Sequence, residues 1–135
     1  MANISQYMQL NMLSWVLGGS PTKPAAWGVG LSLGSPTSTS GSEITTTFGY
    51  TRSTMSWGAA GSPASSGTVS NVSAVTFGPF TTACSVSGIQ IWDTASQGTP
   101  NVGNMLFEGL LGAARTLASG DSLVIPTGSL LVTLA

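Results

Sequence analysis

From residue 27 onward Gly, Pro and Ser cut the chain at intervals of about ten residues, and that punctuation restricts it to short strands. Between the breaks, apolar residues alternate with small or polar ones, the period of two that belongs to a strand. Trp27, Val29, Leu31 and Leu33 alternate with Gly28, Gly30 and Ser32. This predicts one packed face and one bare face, the glycines pressed against another backbone. Phe48 to Trp57 reads as a second strand, with Met55 and Trp57 on one face and Arg52, Thr54 and Ser56 on the other. Thr68 to Phe77 reads as a third, ended by Gly78-Pro79. Cys84 to Trp92, Asn104 to Leu111, Arg115 to Leu117, Ser122 to Ile125 and Leu130 to Leu134 follow. Small-residue loops are expected at 34–42, 58–67 and 93–103, the last carrying Gly98, Pro100 and Gly103. The expected fold is mainly β: an antiparallel β-sandwich, jelly-roll-like, with one N-terminal α-helix.

Before residue 20 the period is 3.6. Ile4, Tyr7, Met8, Asn11, Met12 and Trp15 are spaced by three and four, and Leu10, Leu13 and Leu17 widen the apolar stripe. Asn3 or Ser5 is the expected N-cap, and Gly18-Gly19-Ser20-Pro21 the stop. A helix of about 14 residues is marginal alone in water, so it must dock on its own sheet or on a neighbour. The division expected is a helix or arm over 1–20 and a sandwich domain over 21–135. The helix is too short and too polar to span a bilayer. The first residues carry no cationic region of a signal peptide, which points to synthesis in the cytoplasm.

At 135 residues, 41% of them hydrophobic, the chain has the length and the apolar content for one domain core. Only 5% are charged, against roughly 25% in an ordinary soluble domain. Lys23, Arg52 and Arg115 face Glu43, Asp93, Glu108 and Asp121. A surface this poor in charge suits contact with neighbouring subunits, where charge would have to be desolvated. A Ser/Thr-surfaced β protein that happens to be poor in charge is the alternative.

Chemistry finds little to work with. No histidine is present, which removes the usual general base and the commonest metal ligand. Cys84 has no histidine to activate it and sits in an apolar strand, as an inert thiol does. Asp93 and Asp121 stand beside turns, where Asp caps backbone, so a glycosidase pair drawn from Glu43, Asp93, Glu108 and Asp121 is disfavoured. The scattered carboxylates have no metal-ligand spacing, Gly28-Val29-Gly30 lacks the third glycine of a dinucleotide fingerprint, and no cofactor is expected. Three cations cannot track a phosphate backbone, so neither nucleic acid nor membrane is an expected partner. Trp15, Trp27, Trp57 and Trp92 could line a sugar platform, but core or subunit packing is the better reading of their positions. The candidate interface residues are therefore Tyr7, Met8, Trp15, Trp27, Trp57 and Trp92.

One resemblance extends over nearly the whole chain. Trp27-Gly28-Val29-Gly30-Leu31, Gly49-Tyr50-Thr51-Arg52 and Asn71-Val72-Ser73-Ala74-Val75-Thr76-Phe77 carry it first. Gly88-Ile89-Gln90-Ile91-Trp92-Asp93, Leu106-Phe107-Glu108-Gly109-Leu110, Ala118-Ser119-Gly120-Asp121 and Gly128-Ser129-Leu130 continue it, and the segment from Met8 to Leu17 looks like the family's opening helix. The region from Ala25 to Leu134 resembles small structural proteins of tailed-bacteriophage virions, described as tail fibre proteins or as head decoration (cement) proteins. None of these motifs is a catalytic signature. The resemblance implies a virion protein, not an enzyme, with a jelly-roll-like sandwich and a homotrimeric state. Short length and the lack of a fibre-like repeat favour a capsid decoration protein on the head surface, with the major capsid protein and copies of itself as partners. A tail fibre or tail-tip component that binds a receptor or glycan is the alternative.

Overall fold

A computed structural model describes residues 2–35, 43–58, 67–97 and 102–134. The expected loops at 36–42 and 59–66, with Gly98 and Pro100, lie outside the described residues. The strands are β1 (Ala2–Ile4), β2 (Trp27–Ser32), β3 (Ser53–Met55), β4 (Gly67–Ser70), β5 (Val75–Phe77), β6 (Cys84–Trp92), β7 (Met105–Leu117), β8 (Leu123–Ile125) and β9 (Leu131–Leu134), with one helix, α1 (Gln6–Val16). Every ladder is antiparallel. The larger sheet runs β1-β7-β6-β2-β3, and β4-β9 and β5-β8 form two short ladders. Residues of all three close on a common core that includes Val29, Ile91 and Phe107 from the large sheet, Phe77 and Ile125 from one ladder and Val132 from the other. The result is sandwich-like, without the two matched sheets of a jelly roll among the described residues.

Several boundaries differ from the sequence reading, each for a local reason. Phe48 to Arg52 is not strand. A 3-10 turn at Thr46–Phe48 closes on Gly49 at φ 71°, a left-handed conformation suited to glycine, and it swings Tyr50 and Arg52 inward, where both are buried. The segment from Thr68 to Phe77 breaks at Asn71. Its side-chain amide donates to the carbonyls of Ser73 and Pro126 and its oxygen accepts from the Leu130 N–H, so a side chain replaces the ladder there. The two strands expected at 104–111 and 115–117 are one, β7: its pairing with β6 passes from Gly88–Leu110 to Val86–Arg115 across a bulge, and the chain stays extended through residues 111–114.

The face of β2 expected to be bare is buried. Gly28, Gly30 and Ser32 are as enclosed as Val29 and Leu31, while Leu33 beyond them is exposed. The glycine reading does hold in one respect: a Cβ on Gly28 would lie 2.2 Å from the Thr94 carbonyl oxygen.

At the N-terminus, residues 2–4 are strand rather than helix. They extend the sheet by pairing Ala2 with Gly109, Asn3 with Glu108 and Ile4 with Phe107. Ser5 then turns the chain into α1. Its backbone N–H donates to Leu106 O, its hydroxyl donates to Met105 O, and the Met8 N–H donates to that same hydroxyl as an N-cap bond of 3.1 Å. Ser5 is buried, yet α1 itself has no buried residue. The helix is held through its first turn, by the Ser5 cap and by Met8, which is half-buried against the core.

Replacing Ser5 by Ala should therefore lower stability by about 1 kcal/mol, the worth of an N-cap. Limited proteolysis of this variant should cut first within 6–17, and unchanged protection of that segment would contradict the tether.

Candidate assembly site

Two features stand out once the fold is in place: a buried charge cluster that fixes the loops, and a helix that leaves most of its apolar residues in water. In the first, Arg52 Nε donates to Glu43 Oε1 and Nη2 to Glu43 Oε2, both at 2.7 Å, a two-pronged ion pair with both side chains buried. Nη1 reaches across to the carbonyls of Val102 (2.8 Å), Ser96 (2.9 Å) and Thr94 (3.4 Å). The guanidinium lies over Trp92, 3.8 Å from the ring centroid. Tyr50 donates its hydroxyl to Glu43 Oε1 and accepts from the Leu31 N–H. Burial, with the Glu43 charge adding to it, holds the Tyr50 phenol far above its ordinary range, so it stays a proton donor.

This cluster stands on Gly30. A Cβ there would lie 2.8 Å from Glu43 Oε1, 3.0 Å from Trp92 Nε1 and 3.2 Å from the Tyr50 hydroxyl. The glycine face of β2 is thus a seat for an ion pair. Sequence reasoning missed it, although one signal was present: in a chain with so few charges, Glu43 and Arg52 stand nine residues apart just after the Gly-x-Gly strand. Beside it runs a second polar row, Gln90 paired with Glu108 across β6 and β7. Both are buried, and the Gln90 amide and Glu108 Oε2 have no hydrogen-bond partner. Burial pushes the Glu108 carboxyl up from its ordinary pKa, as it does the Cys84 thiol.

Each remaining carboxylate holds a turn. Asp93 accepts from the backbone and side-chain nitrogens of Asn104, and Asp121 accepts from the Ala118 N–H.

The six interface candidates separate. Trp15 is 70% exposed on α1 and Tyr7 is exposed beside it, with Met8 half-buried. Tyr7, Met8 and Trp15 line one groove of about 310 Å³ between α1 and the 21–24 segment, together with Lys23 and Leu106. Trp27 and Trp57 are half-buried and meet edge to face at 6.0 Å, so they pack against each other. Trp92 is buried under Arg52.

A family model described as "Podophage GP4 fiber I protein gp80" matches residues 3–133. The chain belongs to this family. It is thus a structural protein of tailed-phage virions, and the match takes in α1, both ladders and the charge cluster together. A search of curated proteins gives no match.

Two outcomes are expected from the polar interior. Arg52→Ala strands a buried carboxylate and should cost about 3–5 kcal/mol in urea denaturation. The paired Glu43→Leu/Arg52→Met exchange should not restore wild-type stability, because the carbonyls of Thr94, Ser96 and Val102 lose their donor. Glu108 binds its proton more tightly folded than unfolded, so its contribution is greatest below the unfolded pKa and is lost as pH rises through the folded one. Glu108→Gln should therefore raise Tm at pH 7 relative to wild type and leave it unchanged near pH 3. An equal effect at both pH values would refute this.

Proposed function

We propose that this chain is a subunit of a tail fibre, working by contact with copies of itself and with neighbouring virion proteins rather than by catalysis. The observation that carries the reading is the match to a fibre family across residues 3–133. It favours the fibre over head decoration, to which the short, repeat-free sequence had pointed. The exposed helix gives the reading a physical basis. Residues 6–16 hold no charged side chain and leave all their large apolar ones but the half-buried Met8 exposed, a surface that a lone soluble domain has little reason to keep.

The non-catalytic part rests on how the acidic groups are used. Glu43 is committed to Arg52, Asp93 and Asp121 to backbone, and Glu108 is enclosed in the sheet. With no histidine in the chain, no nucleophile has a conventional base beside it.

Quantitative mass spectrometry of purified virions, with labelled antibody viewed by electron microscopy, tests the location. A copy number in the tens or below, with label at the tail, is expected. Hundreds of copies spread over the head would return the decoration reading.

A further inference from the structure

Trp92 Nε1, both terminal atoms of Gln90 and Glu108 Oε2 are buried in the large sheet without a hydrogen-bond partner. Folded chains rarely leave polar atoms so, because each has given up its water for nothing. Register brings these atoms together. Gly30, Gln90, Glu108 and Asn3 are successive cross-strand partners on β2, β6, β7 and β1, so they stand in one row on one face. Trp92 shares that face, since a Cβ on Gly30 would lie 3.0 Å from its Nε1. The indole N–H therefore meets Gln90 from one side, and the Glu108 carboxyl meets it from the other.

A bridging water has no room here. Gln90 is wholly enclosed, and the orphaned atoms have virtually no accessible surface beside which a water could sit. The neighbouring acceptors are already engaged. Glu43 Oε1, which also stands over Gly30, accepts from Arg52 Nε and from the Tyr50 hydroxyl, and that hydroxyl accepts from the Leu31 N–H. The orphaned atoms must serve one another. An indole nitrogen only donates, a carboxylate only accepts, and an amide offers oxygen on one side and NH2 on the other. One arrangement gives each a partner, with the amide oxygen toward Trp92 and its nitrogen toward Glu108. The reverse sets N–H against N–H. The last torsion of a glutamine is broad and roughly two-fold, so rotation about it reaches this arrangement.

We infer that Gln90 is a hydrogen-bond relay between two parts of the protein: its Oε1 accepts from Trp92 Nε1, and its Nε2 donates to Glu108 Oε2. At one end the relay reaches Arg52, stacked on Trp92, and with it the carbonyls of Thr94, Ser96 and Val102. At the other it reaches the pairing of Glu108 with Asn3, two residues before the Ser5 that anchors α1. Gln90 is thus a positioning residue, through which the seating of the N-terminal arm and the Arg52 clamp depend on each other. The inference is independent of the fibre reading.

Bonds in such a chain polarise one another, so a charge on Glu108 that draws on Nε2 also strengthens the bond at Oε1. In an NMR titration the Trp92 indole proton should move downfield as Glu108 ionises, with the Glu108 carboxyl carbon marking that ionisation. Among the described residues, the elements around Glu108 bring no second carboxylate or cation to confuse the signal. β6 presents Gln90, β1 presents Asn3, α1 carries only the Tyr7 phenol, and residues 129–133 hold no ionisable group. Glu43 and Arg52, over Gly30, are paired to each other, and Asp93 is bound to Asn104.

The response should vanish in Glu108→Gln, which keeps an acceptor without a charge. It should vanish too in Gln90→Met, which keeps the length of the side chain and removes the amide; circular dichroism checks both folds. An indole resonance that stays fixed while Glu108 titrates would overturn the relay, as would a response that survives in Gln90→Met. If Gln90→Met does not fold, the wild-type Gln90 NH2 protons decide. One of the two should shift with Glu108, and a pair that moves together or not at all would overturn the relay as well.

Discussion

The ion pair between Arg52 and Glu43 organises the molecule. It joins a turn before β3 to the edge of β2, and through three carbonyls it fastens Thr94, Ser96 and Val102 over the sheet. A buried pair of this kind gains little net free energy over an apolar replacement of similar volume. Here its value is positional. One planar guanidinium satisfies a carboxylate, three backbone oxygens and an aromatic face at once, in a part of the chain too rich in Ser, Thr and Gly to be held by apolar packing.

The glycines of β2 follow from that choice. Only a strand without side chains on one face leaves room for a carboxylate, a phenol and an indole above it, and only such a strand lets the Thr94 backbone come close. The opposite face, Val29 and Leu31, belongs to the apolar core. One strand therefore separates a dry core from a polar one. That explains how a chain with seven charged residues, three basic and four acidic, buries three of them, Arg52, Glu43 and Glu108, inside its fold.

Much of this architecture was legible in the sequence. Period-two alternation located β2, β6 and β9 to within a residue or two, and Gly18-Gly19 marked the end of α1, because these signals are local. What escaped was set by contacts distant in sequence. Ala2–Ile4 is too short to show a period, and becomes a strand only because β7 offers it an edge. Asn71 interrupts a run of strand formers by bonding to Pro126 and Leu130. Trp92, read as a contact residue, is claimed by Arg52 from a different element. For α1, the spacing was plain, but which of its two faces met the body of the protein depended on where Ser5 was anchored.

The lack of charge on α1 has a bearing on the conditions under which any contact it made with a neighbour would hold. A contact made by leucines is not steered by long-range fields, so its rate is slow in forming by electrostatic standards and indifferent to ionic strength. Its strength instead follows the hydration of apolar surface, weakening in the cold and growing in the presence of sulfate or phosphate. A particle built on such joints would keep them in fresh water and in brine alike, and would loosen them first on chilling.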